Sequence, residues 1–109
     1  MNKLLIYNQA LDLVYKVYKL VKTNKPIRTD YSLCNQLKRA SVSVPFNIAE
    51  GYFRTHKQFK NYLKIAIGSA NEVRTLLIIL SRVYRLNTKE LQKDYESLGK
   101  QISAFIKSF

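Results

Sequence analysis

Few side chains in this sequence of 109 residues have the reactivity that catalysis or metal binding requires. The single cysteine, Cys34, has no partner for an internal disulfide, and the single histidine, His56, completes no ligand cluster, so we expect neither a metal nor a cofactor. Glu50 and Glu72 lie among apolar residues, so we expect both to face inward, where they could act as an acid–base pair. Because no nucleophile or glycine-rich loop accompanies them, we interpret both, with Arg39, as structural ion-pair residues that fix helix register, and we expect no enzyme.

Positive charge is the main functional signal. The chain has 19 Lys and Arg residues against 7 Asp and Glu, a formal net charge of +12. Such a surface attracts polyanions and binds phosphates by counterion release, so binding should be salt-sensitive and largely indifferent to sequence. The predicted nucleic-acid-binding residues are Lys16, Lys19, Arg28, Lys38, Arg54, Lys57, Lys60, Lys64, Arg74, Arg82 and Arg85. The alternative is a merely solvated lysine surface; a membrane surface is less favoured, because the basic faces show no adjoining exposed aromatics.

The elements that carry these residues are predicted to be helices. The first, over about residues 4–23, has apolar residues at spacings of three and four. A loop follows to about residue 29, and Asp30 is a plausible N-cap for the second helix. We expect Pro45 to kink that helix, Ser41 and Ser43 to bond the carbonyls left unpaired, and Gly51 to end it with a positive φ. The predicted core face of the first helix is Tyr7, Ala10, Leu11, Val14, Val17, Tyr18 and Val21.

The second half of the chain reads as two more helices. Thr55 and Gln58 form a capping box that should start a helix running to about residue 85. Asn87 and Glu90 should form a second box, and Gly99 should let a neighbouring helix approach closely. The predicted seam of the third helix is Phe59, Leu63, Ala66, Ala70, Val73, Leu77, Leu80 and Tyr84. We therefore predict an all-α fold, an antiparallel up-down four-helix bundle with a proline-kinked second helix, as a single domain over residues 1–109.

The third helix also carries more apolar residues than one buried stripe needs. A monomeric bundle buries one stripe per helix, so the surplus predicts a subunit interface. The alternative is a central helix covered by its three neighbours. The predicted interface residues are Ile67, Leu76, Ile78, Ile79 and Val83. We interpret the tyrosines near the seams as core or interface aromatics rather than stacking platforms for bases: Tyr7, Tyr18, Tyr62, Tyr84 and Tyr95.

The most distinctive stretch of the chain is residues 39–51, with the sequence Arg-Ala-Ser-Val-Ser-Val-Pro-Phe-Asn-Ile-Ala-Glu-Gly. With residues 68–69 and Glu72 downstream, it is the basis of a similarity to a known family. The sequence resembles the four-helix bundle proteins encoded in intervening sequences of bacterial 23S ribosomal RNA genes, from Ala10 to Ile106. Phe46 and Val73 depart from that family's usual residues. The resemblance implies an antiparallel bundle that assembles as a ring-like homopentamer. It also implies a relation to the accessory proteins of diversity-generating retroelements, which bind nucleic acid and a reverse transcriptase.

Together these observations predict a cytoplasmic, non-catalytic, oligomeric basic protein that binds nucleic acid as an adaptor or accessory factor. RNA is favoured over DNA because of the resemblance, and no recognition-helix or base-stacking motif suggests sequence-specific readout. Two alternatives remain open: a protein–protein interaction module whose charge is incidental, and a small hydrolase or nuclease that uses Glu50 and Glu72. The expected partners are further copies of the chain, nucleic acid and a reverse transcriptase, with no membrane.

Overall fold

The computed structural model describes residues 3–109 and shows five helices and no strand in that range, which confirms the all-α class. The helices are α1 (Lys3–Thr23), α2 (Lys25–Thr29), α3 (Tyr31–Gly51), α4 (His56–Tyr84) and α5 (Lys89–Lys107). α3 packs most extensively against α4 and also against α1, while α5 packs against α4 and α1. The molecule is elongated, with extents of 42 × 20 × 18 Å, and one apolar core runs between these helices.

The buried face of α1 differs from the predicted one. Ile6 and Leu13 are buried, whereas Leu11 and Tyr18 are exposed. The sequence offers two overlapping series of apolar residues at spacings of three and four, and periodicity alone does not say which series packs inward. Ala10, Val17 and Val21 are buried as predicted, together with Ile6 and Leu13, whereas Tyr7 and Val14 are only partly buried.

The segment predicted as a loop after α1 contains the single-turn helix α2. Pro26 lies in its first turn, where the missing amide proton removes no helical hydrogen bond. Ile27 is fully buried and fixes the turn on the core. Asp30 caps α3 as predicted: it accepts a hydrogen bond from the Leu33 amide at 3.2 Å and another from the Tyr84 hydroxyl at 2.6 Å. The Asp30 hydrogen bond raises the pKa of the Tyr84 phenol.

α3 continues through Pro45, which lies buried inside the helix. Pro45 has no amide proton to give the Ser41 carbonyl. The prediction that nearby hydroxyls compensate is wrong, because the Ser41 hydroxyl donates to the Lys38 carbonyl at 2.8 Å. The Ser43 hydroxyl instead lies 2.7 Å from the hydroxyl of Ser69, and it joins α3 to α4. This polar contact between the two most closely packed helices helps set their register.

Gly51 ends α3, but its φ is not positive, so the predicted role of that residue is wrong. A Cβ atom there would lie 2.8 Å from Phe59 Cδ1 and 2.8 Å from Tyr62 Cβ. Gly51 is therefore required by the close approach of α4 rather than by its backbone conformation. The capping box of Thr55 and Gln58 is present as predicted. The seam of α4 is also confirmed, since all of its predicted residues are buried except the half-buried Tyr84.

The start of α5 departs from the predicted capping box. The N-cap is Thr88, whose hydroxyl donates to the Leu77 carbonyl at 2.9 Å and so anchors the turn on α4. The Asn87 carboxamide oxygen accepts from the Lys89 amide at 3.2 Å. Gly99 was predicted to permit close helix packing, but a Cβ there would meet nothing within 4 Å. That prediction is wrong.

Candidate nucleic-acid interface

Most of the predicted nucleic-acid-binding cations lie at the surface without an acidic partner. Three are neutralised, in the pairs Lys16–Asp94 at 3.2 Å, Arg54–Glu50 at 2.8 Å and Arg74–Glu96 at 3.0 Å. Among residues 3–109 the others form no ion pair: Lys19, Arg28, Lys38, Lys57, Lys60, Lys64, Arg82 and Arg85. Unpaired ammonium and guanidinium groups keep their charge available for phosphates.

One group of cations lies where α1, α2 and α3 meet. Lys19 and Lys22 of α1, Arg28 of α2 and Lys38 of α3 line a groove with Tyr15 and its neighbours, and no acidic side chain lines it. We call this the basic groove; its full lining is Tyr15, Tyr18, Lys19, Val21, Lys22, Thr23, Arg28 and Lys38. The Arg28 guanidinium donates to the Lys22 carbonyl at 2.8 Å, which holds α2 over the end of α1.

A second group lies at the start of α4. Lys57, Lys60 and Lys64 share one helical face, since they follow one another at spacings of three and four in α4. The Lys60 ammonium lies 5.6 Å from the Phe109 ring centroid, a cation–π contact that leaves it charged. Arg82 lies near the other end of the same helix, about 27 Å beyond Lys64 at the helical rise of 1.5 Å per residue. The structure therefore does not join all the predicted cations of α4 into one continuous site.

Acidic side chains of α5 neutralise the middle of the neighbouring α4 surface. Glu96 accepts from Lys100 at 3.2 Å and from Arg74 at 3.0 Å. The hydrogen bond from Lys100, followed by the charge of Arg74, lowers the pKa of the Glu96 carboxyl. The positive surface is thus interrupted beside α5 and uninterrupted at the basic groove.

The carboxylates predicted to lie inward are both at the surface. Glu50 and Glu72 are exposed, as is Arg39, so the prediction of inward carboxylates is wrong for the single chain. Glu50 does form an ion pair, with Arg54 one turn ahead, whereas neither Arg39 nor Glu72 has an ionic partner in the described range. Exposed pairs of this kind contribute little to stability. Within residues 3–109, no cluster of His, Cys, Asp and Glu is placed to hold a metal ion.

The apolar surplus of α4 is smaller than predicted. Leu76 is buried in the core of the single chain, and Ile67 and Ile78 are partly covered. Only Ile79 and Val83 of the predicted interface are exposed. Periodicity alone did not show which apolar residues of α4 remain exposed. The neighbouring helices cover more than one stripe of the α4 surface, so residues outside the predicted seam are also covered.

Larger exposed apolar side chains lie on α3 and just after it. Phe46 is 64% exposed and Phe53 is 91% exposed, and Val42 lies one turn before Phe46 on the same face. Two large rings this exposed, one on α3 and one just after it, offer apolar surface that a partner could cover. No helix in residues 3–109 combines the length and the apolar character needed to cross a bilayer.

Comparisons with known proteins agree with this fold. The family model described as 23S rRNA-intervening sequence protein matches residues 2–107. The chain belongs to this family. A crystal structure from the S23 ribosomal protein family of Bacteroides thetaiotaomicron VPI-5482, of a protein with unknown function, is similar with a TM-score of 0.87. It is 22% identical, and the match covers 98% of this chain and 99% of that one, so it supports the fold alone. No curated protein matches the sequence.

In this member of the 23S rRNA-intervening sequence family, reasoning from sequence missed two surface residues. Tyr15 is 69% exposed and Tyr18 is 42% exposed, and both line the basic groove. Tyr18 does not lie in the core of the single chain, and the prediction that basic faces lack adjoining exposed aromatics is wrong at this groove. The available signal was the spacing of Tyr15, Tyr18, Lys19 and Lys22, which places two rings and two ammonium groups on one face of α1.

Proposed function

We propose that this protein is a non-catalytic, basic helical protein that binds nucleic acid, RNA rather than DNA, without strong sequence specificity, as an adaptor or accessory factor. The observation that carries this proposal is the set of surface cations without acidic partners on a chain of net charge +12. The name of the 23S rRNA-intervening sequence family refers to ribosomal RNA, which favours RNA. Ribosomal RNA also makes the cytoplasm the proposed location.

The physical basis of binding is counterion release. Each phosphate that a Lys or Arg neutralises releases condensed cations, so the logarithm of affinity should fall by about 0.7–0.9 per contact for each tenfold rise in salt. The two cation groups, the basic groove and the start of α4, each offer at least three positive side chains. Affinity should therefore depend on salt more steeply than on base sequence.

The proposed architecture is an antiparallel four-helix bundle in which α1, α3, α4 and α5 each pack on two neighbours and Pro45 bends α3. We propose that copies of the chain associate, as a pentamer on the resemblance described above. Association is supported by exposed apolar side chains, because burying them would remove apolar surface from water. These are Phe46, Phe53, Ile79 and Val83.

A protein–protein interaction module is the second candidate function, and the exposed rings on α3 favour it. A reverse transcriptase is a proposed partner on the same resemblance, and it would use such a surface. Under this alternative the cations are only solvated, and RNA should not bind at moderate ionic strength.

The test is fluorescence anisotropy with a labelled mixed-sequence RNA at several salt concentrations. Replacing Lys57, Lys60 and Lys64 by Gln should weaken binding and reduce its salt dependence by about 2 in logarithmic slope. The control removes three charges from α5 instead, with Lys89, Lys93 and Lys107 changed to Gln. Equal losses in both triple variants would show that net charge alone matters. Absence of RNA binding by the unmodified protein at about 100 mM salt would reject the proposal.

A further inference from the structure

The basic groove brings aromatic rings and cations together on one surface. Its wall on α1 presents the rings of Tyr15 and Tyr18, and its rim presents four cations from three helices. Exposed tyrosine rings offer apolar faces on which a planar group can stack. The groove has a volume of about 560 Å³, within the range of roughly 300–1,000 Å³ typical of small-ligand sites.

Charge and geometry within the groove define the ligand. None of the lining residues is acidic, so an anion meets no repulsion. The Lys38 ammonium lies over one face of the Tyr18 ring, 5.2 Å from its centroid, so a stacking group meets the other face of that ring and finds a cation beside it. Tyr15 as a residue is 69% exposed, so a planar group can reach its side chain. A ligand with an aromatic plane next to a phosphate satisfies both parts of the site.

We propose that the basic groove is a binding site for single-stranded nucleic acid, in which bases stack on Tyr15 and Tyr18 while Lys19, Lys22 and Lys38 contact the flanking phosphates. This inference rests on the proposed function. It places nucleic-acid binding at one site and specifies single-stranded rather than double-stranded nucleic acid. A duplex keeps its base faces stacked inside the helix, so it offers phosphates to the cations but nothing to the rings. The groove therefore discriminates single strands from duplexes, which a surface of lysines alone does not do.

The experiment measures anisotropy of a labelled single-stranded RNA of about 12 nucleotides, and of the same RNA as a duplex. Replacing both Tyr15 and Tyr18 by Ala should weaken single-strand binding about tenfold or more, with duplex binding unchanged. Replacing both by Phe should preserve binding, because the rings remain. Tyr31, an exposed tyrosine outside the groove, provides the matched control as Tyr31→Ala. Circular dichroism should show unchanged helix content in every variant.

A second arm separates stacking from charge. Lys19→Gln with Lys22→Gln should reduce the salt slope for single strands by about 1.4, whereas the tyrosine variants should leave the slope unchanged. Parallel titrations with single-stranded DNA and with adenosine monophosphate identify the source of the base and phosphate. If adenosine monophosphate binds tightly and the tyrosine variants lose that binding, the ligand of the groove is a free nucleotide rather than a single strand. That result would overturn the proposal.

Other outcomes also separate the hypotheses. Absence of RNA binding by the unmodified protein would reject the proposed function and this site with it. RNA binding that survives in the double alanine variant would reject the site alone. A fall in oligomer mass in that variant, without loss of RNA affinity, would make the tyrosines subunit contacts. Binding to anionic phospholipid vesicles but not to single strands would make the groove a membrane contact, which also overturns the proposal.

Discussion

Replacing Gly51 by Ala tests how closely α3 and α4 must approach. The new methyl group would lie 2.8 Å from both Phe59 Cδ1 and Tyr62 Cβ, which is well inside ordinary van der Waals contact. The Tyr62 Cβ is attached directly to the backbone, so relief requires α4 to move rather than a side chain to rotate. Overpacking of this kind typically costs 1–3 kcal/mol. Alanine gains at most about 1 kcal/mol over glycine in a helix, and less at its last residue.

We therefore expect Gly51→Ala to lower the free energy of unfolding by about 1–2 kcal/mol. The matched control is Gly99→Ala, because a Cβ there meets nothing within 4 Å and the helix gains propensity. That variant should be more stable than the wild type by up to about 1 kcal/mol. Gly51→Ala introduces a clash between α3 and α4, the most extensive helix pair, whereas Gly99→Ala introduces none. The two substitutions should therefore shift stability in opposite directions.

The assay is urea denaturation followed by circular dichroism, at one fixed protomer concentration so that any association affects all proteins equally. At the thermal midpoint, 1 kcal/mol should correspond to about 4 °C or slightly more for a chain of this size. A Gly51→Ala protein as stable as the Gly99→Ala protein would refute the reasoning. It would mean that α4 can withdraw from the end of α3 at no cost.

Four further predictions concern single features of the structure. Tyr95→Phe should raise the free energy of unfolding by about 1–3 kcal/mol, since the buried hydroxyl has no hydrogen-bond partner in the described range; a loss in urea denaturation would contradict this. Phe46→Ser with Phe53→Ser should lower the mass measured by light scattering if copies associate through α3, and an unchanged mass places the interface elsewhere. Arg85→Gly should raise the melting temperature, because Arg85 has φ 55° and glycine adopts that conformation without strain. Glu96→Gln should lower the melting temperature at neutral pH, because the lowered pKa of the Glu96 carboxyl stabilises the fold while that carboxyl is ionised. The difference from the wild type should shrink as the pH falls below the usual pKa of 4.5, and it should vanish below the lowered pKa of the folded state.

The sequence predicts α4 better than the other helices. Its capping box depends only on Thr55 and Gln58, and its apolar heptads continue without interruption, so local chemistry and packing agree. The inner face of α1 was predicted only in part, because Leu11 and Leu13 are equally apolar and only the neighbouring helices decide between them. The cap of α5 was missed because the Thr88 hydroxyl bonds to Leu77, a contact that a local capping rule does not contain.

In the candidate site, too, some features follow from the sequence alone and others depend on how the helices pack. Composition and spacing identify the cations, because charge does not depend on the fold. Which cations keep their charge available depends on helices that are distant in sequence, as when Asp94 of α5 pairs with Lys16 of α1. The aromatic wall of the basic groove followed from the rotation of α1, which exposed Tyr18 instead of burying it. Candidate binding residues were therefore recognisable by type, whereas their availability required the three-dimensional arrangement.

Cys34 is the only thiol in the chain and lies buried on α3, one of the helices that form the basic groove. An alkylating reagent can reach its sulfur only when α3 separates from the core, so the labelling rate under native conditions measures how often that opening occurs. The protein thus contains a built-in reporter that needs no engineered cysteine. A ligand that bridges α1, α2 and α3 should slow the reaction, and its protective effect could be followed by mass spectrometry.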